Sequence, residues 1–538
     1  MDSKYICIYT KEGAKTMKVF LGIELGSTRI KAVAIDQGGK PLASGGFDWE
    51  NRYENGVWTY RLEDVRTGLQ ESYKELAADY QKKQSTPLEV SGIGISAMMH
   101  GYLVLDKEDK QLAEFRTWRN TITEKSSELL TKLFDFAVPQ RWTIAHIHRA
   151  VTERESHVSE IGHLTTLAGY VHYRLTGQKV VGVGEGSGIM PIDSITNDYN
   201  ADMVSKFDGL IEEYNLPWKI LDILPKVLNA GENAGYLTEE GAKLLDPTGN
   251  LKAGIPFCPP EGDAGTGMVA TNAVAPGTGN ISVGTSVFAM LVLDKKLSKL
   301  YPEIDMVTTP TGKPVAMVHC NNCTSDINAW LNLFSGVMEK AGAKIDKGDL
   351  RIALYKSALE SDPACGGLVS VNYLSGEHIT GFHEGRPLFI RTSDSQFTIE
   401  NFMRSLFYSA VASVRIGMNI LTNEGVVLNK ILGHGGLFTT PVVGQKLIAG
   451  ALNIPIALME SAGEGGAWGI ALLAAYAASK EDGETLEQFL DNKIFADSAV
   501  SILEPDPVDV KGFNEYLKRF EAALKVERAA VENIKNIN

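Results

Sequence analysis

Asp263 stands in a glycine-flanked turn, Glu261-Gly262-Asp263-Ala264-Gly265. Farther along, after a short β-prone run from Asn280 to Val283, comes a second turn, Gly284-Thr285-Ser286. Between them Pro276-Gly277-Thr278-Gly279 reverses the chain and marks a hinge. Glycine lacks the Cβ that keeps backbone away from a ligand. Gly, Thr and Ser turns present N–H groups and hydroxyls that suit phosphate oxygens. A positioned carboxylate suits removal of a hydroxyl proton. An acid loop near a phosphate loop therefore points to phosphoryl transfer, which needs alignment, charge neutralisation and a base. Near the N-terminus Glu24 precedes a similar turn, Gly26-Ser27-Thr28, with Lys31 beyond it. On its residues alone this turn is either a phosphate loop or a plain hairpin turn.

Elements must hold these turns. Lys18 to Glu24 and Ala32 to Asp36 are apolar, β-prone runs, and the turns around them predict a meander of hairpins. Leu62 to Tyr80 has helical spacing. The strand Ser91–Ser96 delivers Ala97-Met98-Met99-His100-Gly101-Tyr102. A histidine there either faces a cleft or is a satisfied structural residue. Phe115 to Asn120 is a polar–aromatic loop, suited to a hydroxylated ligand or equally to plain surface. His163 to Leu175 reads as an amphipathic helix ending at Thr176-Gly177. Beyond Ser286 strands are expected at Val287–Leu293 and Pro314–Cys320, and helices at Ser325–Ala341 and Ile399–Glu424. Val427 to Leu432 runs into Gly433-His434-Gly435-Gly436-Leu437-Phe438, then a helix from Val442 to Leu452. Ile454 to Met459 runs into Glu464-Gly465-Gly466-Ala467 and a last apolar helix to Ala478. Strand, glycine turn and helix in repetition is α/β architecture, and glycine turns at helix N-termini suit a nucleotide. From Leu486 onward the chain is charged and helical, and its alternating Lys and Glu predict a peripheral, solvated region.

The bulk numbers bound the rest. The 538 residues make about three ordinary domains or two large ones. Hydrophobic content of 44% with 22% charged residues is that of a folded globular chain. A net charge of −14 and a pI near 5.3 argue against a general nucleic-acid binder. Five cysteines make no disulfide framework, and a reducing, cytoplasmic setting is expected. Cys320-Asn-Asn-Cys323 lacks a second pair and reads as incidental thiols. No apolar run of about 18 residues predicts a membrane span. The N-terminus lacks a signal-peptide layout, and the sixteen residues before Met17 read as an extension or a misassigned start.

Five separated motifs now agree, and from about Met17 to about Ala478 the chain resembles the FGGY family of carbohydrate kinases, within the actin/hexokinase-like ATPases. Gly22 to Thr28 with Lys31 is similar to the first phosphate loop, and Gly262-Asp263 with Gly265 to the catalytic-acid motif. Gly284-Thr285-Ser286 resembles the second phosphate loop. Gly381 to Arg386 is similar to the C-terminal signature. Gly435-Gly436, with Phe438, and Gly465-Gly466 resemble the turns that hold adenosine.

The resemblance implies an α/β fold of two actin/hexokinase-like (ribonuclease H-like) domains with an interdomain active-site cleft. Residues 17–272 would form a mainly sugar-binding domain, 273–482 a mainly ATP-binding one, and 483–538 a peripheral helical region. It implies ATP and Mg²⁺, with Glu24 and Asp263 at the metal and Asp263 as base. Gly26, Ser27, Thr28, Lys31, Gly284, Thr285 and Ser286 would hold phosphates. Met99, His100, Trp118, Arg119 and Asn120, with Asp263, would meet the sugar. Partners would be sugar and ATP, with a homodimer in keeping with similar proteins and no nucleic acid or membrane. The chain departs from the pattern at Glu24, usually Asp, at Met98, usually Gln, and at Trp118-Arg119-Asn120, usually Trp-Asn-Asp. A Lys- and Trp-rich signature is not evident around Ala145 to Thr152. The expected acceptor is a ketopentose, L-ribulose or D-xylulose, with Met98 and Arg119 tilting the choice to L-ribulose. Glycerol or another polyol is the alternative within the family. A non-catalytic nucleotide sensor or actin-like assembly protein is the alternative outside it.

Overall fold

The computed structural model of the protein describes residues 18–459 and 465–536. The start at Met17 and the role of Glu464 lie outside them.

The first sheet is built on β1 (Val19–Leu25), β2 (Arg29–Ile35) and β3 (Pro41–Asp48), an antiparallel meander. β4 (Val90–Ala97) lies parallel to β1, and β5 (Glu261–Gly262) parallel to β4. The order is β3-β2-β1-β4-β5. Side chains alternate across a strand, so the meander is apolar on both faces. Leu21, Ile23, Leu25, Ile30, Ala32 and Ala34 pack with Val65, Leu69, Tyr73 and Leu76 of α1 (Leu62–Lys83). Phe20, Val33 and Ile35 face the other way, into a cluster with Ile470, Ala471 and Ala474.

The second sheet repeats this plan. β6 (Thr278–Val283), β7 (Val287–Val292) and β9 (Pro314–Cys320) are an antiparallel meander, with β8 (Asp305–Thr308) added at its edge. β10 (Lys430–Gly435) lies parallel to β6, and β11 (Ile456–Met459) parallel to β10. In each half the first strand is central, its hairpin partner lies on one side and the parallel strand on the other. The repeat therefore sets the turn Gly26–Thr28 and the turn Gly284–Ser286 at equivalent places in the two domains.

α2 (Leu167–Thr176) packs in the same cluster as α1, α3 (Val183–Gly186) meets β8 of the second sheet, and α4 (Asp263–Ala270) follows β5. The expected helix over His163–Leu175 begins later. His163–Thr165 is a strand, because Thr166 caps α2 by accepting the Gly169 N–H at 3.4 Å. In the second domain α5 (Thr324–Lys340) follows β9, and α6 (Ile399–Asn423) and α7 (Val443–Leu452) cover the sheet.

Two packing features cross the expected domain bounds. α8 (Gly465–Ser479), read as part of the ATP-binding domain, packs on β1, β4 and α4 of the first domain. Its approach depends on absent Cβ atoms: one on Gly22 would stand 2.0 Å from the Ala467 carbonyl, and one on Gly469 would stand 2.1 Å from the Thr266 carbonyl. The region after Leu486 also packs on the second domain. β12 (Val500–Leu503) pairs antiparallel with β11 and extends the second sheet. α9 (Pro507–Asn533) buries Phe513, Tyr516 and Phe520 in the second core. These positions recur three and four apart, which is one helix face. The Lys and Glu between them occupy the other.

Candidate active site

Glu24 shares the strand face of Phe20 and Gly22, so it points toward α8. There its Oε2 accepts the Ala467 N–H at 3.1 Å, near the start of that helix. A carboxylate is favoured at a helix N-terminus. Lys31 is its cross-strand partner on β2. Burial, and next the charge of Asp263, push Glu24 up to about 7, against the Ala467 hydrogen bond and Lys31. Gly466 abuts the same carboxyl: a Cβ there would lie 2.3 Å from Glu24 Oε1 and 2.8 Å from Thr266 Oγ1. Gly465 and Gly466 thus belong beside the acid Glu24, on the first domain's side.

Asp263 is the first residue of α4, after the cap Gly262. Its Oδ1 accepts the Met99 N–H at 3.1 Å. Water reaches the side chain, yet protein surrounds it closely enough that desolvation raises its pKa above the usual carboxylate value. The Met99 N–H works against that rise. The Pro310 ring of the second domain lies close to the same helix turn, 3.4 Å from where a Cβ on Gly265 would be. Asp263 therefore sits near the junction of the domains, an open acid within electrostatic reach of Glu24.

The two hairpin turns are braced alike. In the first, the carbonyls of Gly26, Ser27 and Thr28 accept bonds from Trp49 Nε1 (2.7 Å), Tyr60 OH (2.6 Å) and Trp49 N (3.1 Å). The two rings stack at 4.2 Å. In the second, the Gly284 carbonyl accepts Thr324 N (3.1 Å) and Oγ1 (2.7 Å), and the Thr285 carbonyl accepts Cys323 N (3.0 Å). Tying the carbonyls back leaves Ser27 and Thr28, and Thr285 and Ser286, at the rim. Sequence reasoning missed Trp49, Tyr60 and Thr324. Trp49 and Tyr60 each sit beside or within strands that follow the turn, a signal too weak to read alone. Gly435, at φ 104°, lies against β6: a Cβ would stand 2.4 Å from the Val283 carbonyl. This brings Gly435-Gly436 beside the Gly284 turn. Phe438 turns back instead, its ring packed on Gly433.

The expected sugar residues are placed less uniformly. Met99 reaches Asp263 through its backbone, while its side chain is buried. His100, at φ 72°, is buried and stacks on Trp142 with ring centres 6.1 Å apart. Burial, then the Arg141 charge, lower its pKa to about 3, so its ring is neutral. Trp118 is 40% exposed, and the Arg119 guanidinium stacks over Trp58 at 4.0 Å. Asn120 is 2% exposed, and its amide binds Trp58 N, Trp58 O and Thr117 O. That amide braces the loop through backbone groups. Cys320 and Cys323 are buried thiols, and burial raises both pKa values.

The sequence model of the N-terminal domain of the FGGY family of carbohydrate kinases matches residues 19–270, and that of the C-terminal domain matches 279–478. The chain belongs to the FGGY family of carbohydrate kinases. A xylulose kinase of Haemophilus influenzae is 23% identical over 93% of this chain and 98% of its own. One of Bacillus subtilis is 22% identical over 88% and 91%. The crystal structure of a xylulose kinase from Rhodospirillum rubrum shares the fold, with a TM-score of 0.77 at 17% identity, over 95% of this chain and 99% of that one. The expected two-domain α/β architecture thus holds for this sugar-kinase fold. No described helix is long and apolar enough to cross a membrane.

Proposed function

We propose that this kinase transfers the γ-phosphoryl group of ATP to a ketopentose hydroxyl, giving the 5-phosphate, in the cytoplasm. The observation that carries this reading is the open Asp263 carboxylate, held by the Met99 N–H beside Glu24. Asp263 takes the hydroxyl proton as the oxygen attacks phosphorus in line. Its raised pKa suits a base working near neutral pH. The rim of the Gly26–Thr28 turn and that of the Gly284–Ser286 turn bind phosphate oxygens from opposite domains. Gly435-Gly436 supports the nucleotide beside the second turn.

Glu24 and Asp263 fit Mg²⁺. They are hard oxygen donors whose mutual repulsion a cation relieves. Among the described residues no cluster of three or more ligand side chains occurs, which suits an ion that keeps waters and binds phosphates. When bound, the ion offsets phosphate charge in the transition state. Gly466→Ala tests Glu24's part. Its Cβ must displace the Glu24 carboxyl, and misplacement of this kind predicts a loss of kcat of about tenfold or more. Steady-state kinetics over a Mg²⁺ series checks it, the expected sign being a raised Mg²⁺ requirement.

For the acceptor, the names of the curated relatives favour a xylulose over L-ribulose, reversing the tilt drawn from Met98 and Arg119. A coupled ADP assay over D-xylulose, L-ribulose, hexuloses and glycerol tests this. We expect kcat/KM for D-xylulose to exceed that for glycerol by about 10⁴-fold, the scale set by leaving polar site groups unpaired. A preference for glycerol contradicts the reading.

A further inference from the structure

Two buried glutamates take no part in the chemistry above. Glu261 lies two residues before Asp263 and is 1% exposed. Its carboxyl reaches into the α3 turn, where it accepts the N–H of Gly184 at 3.2 Å and of Glu185 at 2.8 Å. Glycines make the room. A Cβ on Gly182 would stand 2.1 Å from Glu261 Oε1, and one on Gly184 would stand 2.5 Å from Oε2.

Glu185 returns the contact. Its Oε2 lies 2.5 Å from where a Cβ on Gly262 would be, and Met99 Cγ lies 2.8 Å from the same point. Gly262 is thus held between Glu185 and the residue whose N–H binds Asp263. The turn is anchored from the other domain as well. Thr308 N donates to Ser187 Oγ at 3.1 Å, and Thr308 Oγ1 donates to the Val183 carbonyl at 3.1 Å. By contrast β5 pairs with β4 at only two positions, Glu261 with Ser96 and Gly262 with Ala97. So short a ladder leaves the peptide before Asp263 weakly fixed by backbone alone.

We infer that Glu261 is a positioning residue: its carboxyl locks the strand end that carries Asp263 to the α3 turn and so aims the Asp263 carboxylate. The inference rests on Asp263 being the base. Glu261→Leu removes both hydrogen bonds, whereas Glu261→Gln keeps a carbonyl oxygen for the shorter one. Kinetics are read per folded molecule, counted by ATP-binding stoichiometry, with D-xylulose as acceptor. Glu261→Leu lowers kcat by about tenfold or more and leaves KM for ATP within about twofold, because misaiming costs the transition state and spares nucleotide binding. Glu261→Gln returns kcat to within about threefold of the parent, as one neutral hydrogen bond is worth little net. A purely structural role predicts lowered Tm with kcat per folded molecule unchanged, and that result overturns the inference. Should Glu261→Leu fail to fold, Gly184→Ala displaces the carboxyl while keeping it, and an unchanged kcat there overturns the inference equally. Asp263→Asn is measured alongside. If it turns over normally, the assignment of the base is wrong; if it is inactive while Glu261→Leu keeps full kcat, only the positioning role is wrong.

Discussion

Asp263→Asn folds and binds ATP as the parent does, while sugar-dependent ADP release falls by about 10²- to 10⁴-fold, the usual worth of a positioned general base. The substitution is nearly isosteric. Asparagine keeps an Oδ1 to accept the Met99 N–H, so the start of α4 stays in place. What it loses is a site for the hydroxyl proton. It also removes a charge that helps hold Glu24 near 7, so the Glu24 carboxyl titrates lower in the variant. Calorimetric ATP binding with the coupled ADP assay separates the two effects. Turnover close to normal removes Asp263 from the mechanism.

Asp509→Ala is expected to cost about 3–5 kcal/mol of stability, the range for breaking a buried ion pair from one side. Arg404 is 2% exposed and Asp509 4%. Arg404 Nη1 donates to Asp509 Oδ1 at 2.9 Å, and its Nε donates to the Ala358 carbonyl at 3.1 Å. Without Asp509 the guanidinium stays buried, and its remaining partners are neutral oxygens, Tyr408 OH among them. Because Asp509 lies on α9 and Arg404 on α6, the loss reports how firmly the C-terminal helix belongs to the second domain. Urea unfolding measures it. An unchanged midpoint makes that helix an appendage. Restoration by Arg404→Met combined with Asp509→Leu assigns the cost to the unpaired charge rather than to lost packing.

Most of the fold's logic was legible where local signals were strong. The hairpin Val19–Ile35, the helix Ile399–Asn423 and the strand–glycine–helix runs around Gly435 carry unambiguous periods and turn residues. What stayed hidden depends on distant pairing. Nothing local shows that α8 crosses to the first sheet, since the Gly22–Ala467 approach joins residues far apart in sequence. α9 was hidden by its outward Lys and Glu, although Phe513, Tyr516 and Phe520 mark its inner face. At the site, Asp263, Glu24 and the two turns were readable as types in glycine frames. Trp49, Tyr60, Thr324 and Glu261 were not, because each acts through a contact made by folding. The backbone bonds of the Asn120 amide were not legible either, because a polar loop residue looks the same whether its amide faces a ligand or its own backbone.

The role proposed for Asp263 is to deliver a sugar hydroxyl to ATP. Phosphorus NMR of the enzyme with ATP, Mg²⁺ and D-xylulose tests it most directly. The γ-phosphate signal is expected to be replaced by one sugar phosphomonoester, with ADP formed in equal amount, and Asp263→Asn to leave the ATP signals intact. Release of inorganic phosphate at the same rate with and without sugar would contradict it.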